Sequence, residues 1–154
     1  KFNHNLSEAQ VAERLDQYYH PFHQAVDDLI KSHRPQPHTS TNTPSSPVLI
    51  SMHSFTPVWK HNLRTMDIGV LYELESNDTT LLFEEIKAQG FFVEKNEPYS
   101  GKQGMMYSAV RHGEANNIPC FEIEINQFLL STPERIQRVS ESLAPAFTNW
   151  LARI

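Results

Sequence analysis

Cysteine is almost absent from this chain: Cys120 is the only one among 154 residues. That excludes an intrachain disulfide and suits a reducing, cytoplasmic setting. Long apolar runs are absent too. None approaches the roughly 18 residues that a membrane span requires, so no membrane partner is expected. The opening residues Lys1-Phe2-Asn3-His4-Asn5 lack the features of a secretory signal. Positive charge is scarce: 13 Lys and Arg face 18 Asp and Glu, for a net charge of −5. An acidic balance argues against nucleic acid as the partner, which selects for a basic face. Familiar chemistry-bearing patterns are missing as well: there is no H-E-x-x-H, no phosphate-binding P-loop, no G-x-G-x-x-G and no G-x-S-x-G.

What is present supports a folded enzyme-sized domain. Hydrophobic residues make up 39% and charged residues 20%, enough apolar material for a packed core and too little charge for global disorder. The length fits one domain over residues 1–154. Eight histidines are many for this length and raise metal or proton-transfer chemistry.

Strand and helix signals alternate along the chain. Ser7 and Gln10 read as a capping box, with Leu6 placed to staple onto Val11. Val11, Leu15, Tyr18, Phe22, Val26 and Leu29 then follow at helical spacing, and Pro21 predicts a kink or break near His20. Residues 32–47 are rich in Ser, Thr and Pro and read as a long polar loop. Val48-Leu49-Ile50-Ser51-Met52 is a short apolar run of the buried, parallel-sheet kind. Asp67 to Tyr72 reads as a second strand, Phe91 to Val93 as a third and Pro119 to Ile125 as a fourth. Between them lie a helix capped by Asn77 or Asp78 and closed by Gly90, and another from Met105 to Asn116 with Gly113 as a weak point. Thr132 and Pro133 open the last helix, whose apolar face is Ile136, Val139, Leu143, Phe147 and Trp150. The alternation predicts an α/β domain with a mixed, mostly parallel sheet flanked by helices.

In such sheets ligands gather beyond the carboxyl ends of the strands. His53 follows the first apolar run directly, so it falls at the end of an expected central strand, either as a metal ligand or as a hydrogen-bonded strand-end histidine. In Cys120-Phe121-Glu122-Ile123-Glu124-Ile125 the two glutamates share one face, because strand side chains alternate. That face is either solvated or lines a site, and Glu124, nearer the carboxyl end, is the better general-base candidate. Asn96, Tyr99 and Ser100 offer an amide, a phenol and a hydroxyl on one loop. Arg111 could grip a carboxylate with two parallel N–H groups, or sit in a surface ion pair. His112-Gly113-Glu114 before Pro119-Cys120 superficially matches a zinc-deaminase pattern, but its second cysteine would fall at Ile123. His20 and His23 have a metal-compatible spacing that Pro21 disturbs, and Cys120 reads as an inert buried thiol.

Taken in order, Tyr18-Tyr19-His20-Pro21-Phe22-His23, His53-Ser54-Phe55-Thr56-Pro57, Asp67-Ile68-Gly69-Val70-Leu71, Asn96-Glu97-Pro98-Tyr99-Ser100-Gly101, Arg111-His112-Gly113-Glu114 and Ile123-Glu124-Ile125-Asn126-Gln127 resemble the N-formylglutamate amidohydrolase family. The resemblance implies a fold related to the zinc carboxypeptidases and a zinc-dependent hydrolysis of an N-formyl or N-acyl amide on an acidic amino acid. It implies His53 as a zinc ligand and Glu124 as the catalytic glutamate. Arg111, Asn96, Tyr99, Ser100 and His112 fall on motifs expected to line the pocket for a small anionic substrate. Such a zinc site normally takes three protein ligands, and the family motif that would supply the others has no match here. The expectation is therefore a C-terminal portion of a larger domain, with an N-terminal portion or an oligomer partner completing it. The rival expectation is a non-catalytic binding module of the same fold.

Overall fold

A computed structural model describes residues 4–34 and 47–154. The first helix, α1 (Glu8–Arg14), starts where the capping box places it. Ser7 Oγ accepts from the Gln10 N–H at 3.3 Å, and Gln10 Oε1 accepts from the Ser7 N–H at 2.9 Å. The kink expected at Pro21 takes the form of a wider, π-type turn over Leu15–Tyr19, followed by α2 (His20–Ser32). Proline has no N–H, and its ring crowds the carbonyl four residues back; the wide turn relieves both problems before Pro21 enters the first turn of α2. Most of the expected polar loop, residues 35–46, lies outside the described residues.

Strand β1 (Leu49–Phe55) runs three residues beyond its expected end, so His53 lies inside it rather than after it. A two-stranded hairpin, β2 (Val58–Trp59) with β3 (Asn62–Leu63), then precedes β4 (Ile68–Leu71). Ser76, not Asn77 or Asp78, caps α3 (Asn77–Ala88), its Oγ accepting from the Thr79 N–H. Gly90 adopts φ +87°, the left-handed geometry that closes helices. The third strand, β5 (Val93–Lys95), begins where it was expected to end: Phe91 and Phe92 form the approach, and the Asp67 carboxylate accepts from the Phe92 N–H. Helix α4 (Tyr107–Asn116) continues through Gly113, which is a packing requirement rather than a weak point. A Cβ there would meet Cys120 Sγ at 2.7 Å. Strand β6 (Cys120–Asn126) and helix α5 (Pro133–Leu151) complete the set. Thr132 caps α5, which runs through Pro145 without a break.

The sheet order is β1-β6-β4-β5. The outer pairs β1–β6 and β4–β5 are parallel, and β6–β4 is antiparallel. The sheet is thus mixed and mostly parallel, with helices on both faces. Among the described residues β1 is an edge strand with β6 as its neighbour, not the central strand that its apolar start suggested; Met52 on it is 50% exposed. On one face Ile68, Val70, Phe121, Ile123 and Ile125 pack against α3 and α5, and Trp150 is fully buried there, edge-on to Phe121. On the other face Leu71, Met106 and Ala109 form a smaller cluster under α4, and α2 packs on α4. No helix among the described residues is long and apolar enough to cross a membrane.

Candidate active site

The parallel pairing of β1 with β6 sets Ser51 opposite Glu122 and His53 opposite Glu124. Alternation then brings all four side chains to one face, the face of the smaller cluster. Both glutamates are only 5% exposed, so their face is not the solvated one. Ser51 Oγ and His53 Nε2 are 2.7 Å apart, and the same nitrogen is 3.7 Å from Glu122 Oε1. Glu124 Oε2 is buried without a hydrogen-bond partner.

A carboxylate removed from water favours its protonated form. Burial accordingly pushes both Glu122 and Glu124 above the ordinary carboxyl value, with His53 pulling the other way. For Glu124 the cation Arg64 also pulls downward and Glu122 pushes upward. Arg64 is held between rings, its guanidinium carbon 5.7 Å from Phe55, 5.6 Å from Trp59 and 5.5 Å from Tyr99. Nothing in the sequence singled it out; it reaches the site only because the β2–β3 hairpin folds back.

The loop after β5 closes over Gly69, the residue opposite Glu124 on β4. A Cβ at Gly69 would lie 1.9 Å from the Glu97 carbonyl oxygen, so only glycine admits the loop. The peptide bond Glu97–Pro98 is cis, and Asn96 sits at φ +54°. Asn96 Oδ1 accepts from the N–H groups of Tyr72 at 3.2 Å and Gly101 at 3.0 Å, while its Nδ2 is buried without a partner. Tyr99 packs against the smaller cluster, and Ser100 precedes the short helical turn Gly101–Gln103, its carbonyl accepting from the Gln103 N–H at 3.1 Å.

Arg111 and His112 belong to a second polar cluster, between α2 and α4. His112 is 1% exposed; its Nδ1 is 2.7 Å from Asp27 Oδ1 and its Nε2 is 2.7 Å from His23 Nδ1. Asn116 donates to the same Asp27 oxygen at 2.9 Å. The hydrogen bond from His112 holds Asp27 below the usual carboxylate range, and burial lowers the pKa of His23. Arg111 lies 3.8 Å from Asp27 Oδ2, with its guanidinium over Tyr19. His20 is left outside, beside Asp16 at 3.8 Å, so His20 and His23 do not converge. The partners of Arg111 and His112 are thus on α2, not on the sheet. Asp27 and His23, one helical turn apart, are the signal that a search for shared helix faces would have found. Burial raises the pKa of Cys120, consistent with an unreactive thiol.

A metal-site test gives a partial fit. Among the described residues no group of three or more His, Cys, Asp or Glu converges. His53 brings an imidazole nitrogen of the type zinc takes, and Glu124 brings an unpartnered carboxylate oxygen to the same face. Of the expected metal ligands, His53 is the one that the described residues place on this face.

The fold has counterparts among known structures. The structure is similar to that of the gene product Atu2144 from Agrobacterium tumefaciens, with a TM-score of 0.75 and 21% identity, covering 98% of this chain and 56% of that one. It is also similar to N-formylglutamate amidohydrolase from Ralstonia eutropha JMP134, with a TM-score of 0.63 and 16% identity, covering 96% of this chain and 55% of that one. At these identities the likeness shows the fold, and the chain spans little more than half the length of either structure. No match emerged among curated protein sequences. The family model for N-formylglutamate amidohydrolase matches residues 1–131, most of the length, and on that match the chain belongs to the N-formylglutamate amidohydrolase family.

Proposed function

We propose that this chain carries the base of a zinc-dependent amidohydrolase that removes an N-formyl or N-acyl group from an acidic amino acid. The observation that carries the reading is Glu124: a buried carboxylate with an unpartnered oxygen, set across the strand pair from His53. A buried acceptor left without a donor is costly, and such groups cluster where chemistry is done. His53 would hold the metal on one side through its imidazole nitrogen. Zinc, when bound, supplies Lewis acidity toward the amide carbonyl and makes water easier to deprotonate. Glu124 Oε2 takes the proton of the attacking water and passes it to the amide nitrogen as the C–N bond breaks. Its raised pKa suits both halves of that exchange. Arg111 would pair with a carboxylate of the substrate by turning from its 3.8 Å contact with Asp27, which gives an acidic protein a local means to hold an anion. Asn96, with a free amide N–H₂, and Tyr99 line the approach from the loop over Gly69.

The test is hydrolysis of N-formyl-L-glutamate, followed by formate release, together with zinc content. The expected result is activity that falls on chelation and returns with zinc, and loss of both metal and activity in His53→Ala. Zinc-loaded protein in which His53→Ala changes neither would contradict the reading. Metal-free, inactive protein would favour the binding-module alternative.

A further inference from the structure

An N-acyl acidic amino acid carries two carboxylates, and the amidohydrolase reading above, on which this inference rests, gives an arginine to only one of them. The sheet face beside the reacting amide already holds Glu122 and Glu124, both buried. A further anion brought there needs a counter-charge to offset repulsion and lost hydration. Arg64 is placed to supply it. Its backbone is pinned on both sides: its N–H donates to the Pro57 carbonyl at 2.8 Å, and its carbonyl accepts from Asn126 Nδ2 at 3.2 Å. Asn126 ends β6 two residues beyond Glu124, and alternation puts the two side chains on one face. Phe55, the register partner of Asn126, ends β1, and its ring centre lies 5.7 Å from the guanidinium carbon. Arg64 thus stands over the carboxyl ends of two parallel strands, where such sheets bind ligands. The faces of Phe55, Trp59 and Tyr99 steady the cation but accept no strong hydrogen bond. Among the described residues no carboxylate pairs with Arg64, and its guanidinium makes one long hydrogen bond, 3.4 Å from Nη1 to the Thr56 carbonyl. A guanidinium has five N–H donors in a fixed fork, so the fork here is oriented and largely unfilled.

We propose that Arg64 sets the preference for an acidic amino acid: its guanidinium grips one carboxylate of the substrate with two parallel N–H groups, while Arg111 takes the other. Arg111 has to leave Asp27 to do its part; Arg64 leaves no carboxylate behind. The pinned backbone and the three rings hold the fork in place before the ligand arrives, which lowers the cost of ordering it on binding.

The experiment is calorimetric titration of Glu124→Gln protein, in which hydrolysis is blocked, with Zn²⁺ present. The ligands are N-formyl-L-glutamate and its two mono-amides, N-formyl-L-glutamine and N-formyl-L-isoglutamine, each lacking one carboxylate. Arg64→Met, Arg64→Lys and Lys60→Met are added to that background, with folding checked by circular dichroism. Lys60, exposed and 6.0 Å from the Trp59 ring centre, controls for charge in general. Arg64→Met should weaken N-formyl-L-glutamate about 10–100-fold and one of the two mono-amides hardly at all. Arg64→Lys should recover part of the loss, and Lys60→Met should change nothing. Unchanged affinity for N-formyl-L-glutamate in Arg64→Met, equal weakening of all three ligands, or an equal loss in Lys60→Met would overturn the assignment. The hydrolysis reading would then still stand, because turnover by the unaltered protein decides it. Protein that binds none of the three ligands would overturn both. If Arg64→Met does not fold, Arg64→Lys decides, since it keeps the charge and loses the fork. A loss for the diacid that one mono-amide escapes supports the assignment; no loss, or a loss shared by all three, overturns it.

Discussion

Glu122 and Glu124 hold their carboxyl groups where water is nearly excluded, and each has a raised pKa because of it. The consequence for stability has a definite sign. A carboxyl with a raised folded pKa binds its proton more tightly in the folded state than in the unfolded one. Its favourable contribution is therefore complete below the ordinary value of 4.5 and is lost as pH rises through the raised value. In metal-free protein, Glu122→Gln and Glu124→Gln should each melt at a higher temperature than the unaltered chain at neutral pH. The gap should close as pH falls below 4.5, which thermal melts across a pH series would show. Strand alternation reveals that these two residues share a face. It does not reveal that the face is buried, because the loop and helix that cover it come from elsewhere in the chain. Arg64 is illegible for the same reason: its place depends on a hairpin of two-residue strands, with Lys60 and His61 at positive φ and no Asn-Gly or Asp-Gly signal between them.

At the scale of elements, α2 is joined to α4 through His112. His112 Nδ1 lies 2.7 Å from the Asp27 carboxylate and His112 Nε2 lies 2.7 Å from His23 Nδ1, so one ring bridges the two helices. Removing the middle member takes the His112 partner from His23 Nδ1 and leaves Asp27 with Asn116 and Arg111 alone. His112→Ala should lower stability by about 1–3 kcal/mol, read from urea unfolding. The loop over β4 answers to Gly69. Gly69→Ala drives a methyl group into the Glu97 carbonyl and should lower stability by roughly 1–3 kcal/mol, with a larger fractional loss of activity, since the displaced loop carries Asn96 and Tyr99. Where elements carry their own signals, the sequence is informative. The capping box at Ser7, the Thr132-Pro133 start and the apolar stripe of α5 are local features, and the structure reproduces them, save that Ile136 at the head of the stripe is exposed. Boundaries set by pairing are not local: β1 extends through His53 because β6 continues alongside it to Asn126.

Across the whole molecule the two sheet faces do different work. The face under α3 and α5 is apolar at its centre, sealed by Trp150, whose indole N–H donates to the Asp78 carbonyl at 2.9 Å. Trp150→Ala should lower stability by about 3–5 kcal/mol, a large share of what a domain of this size has, while leaving the specific activity of the folded fraction unchanged. The opposite face gives up that uniformity and keeps two carboxylates, an imidazole and a hydroxyl within the sheet. Its cost in stability is intelligible if Glu124 moves a proton during hydrolysis. Steady-state kinetics of Glu124→Gln with N-formyl-L-glutamate test this most directly. The account predicts a fall in kcat of about 10²–10⁴-fold with little change in KM. A kcat within about twofold of the unaltered protein, with the fold and metal content intact, would contradict it.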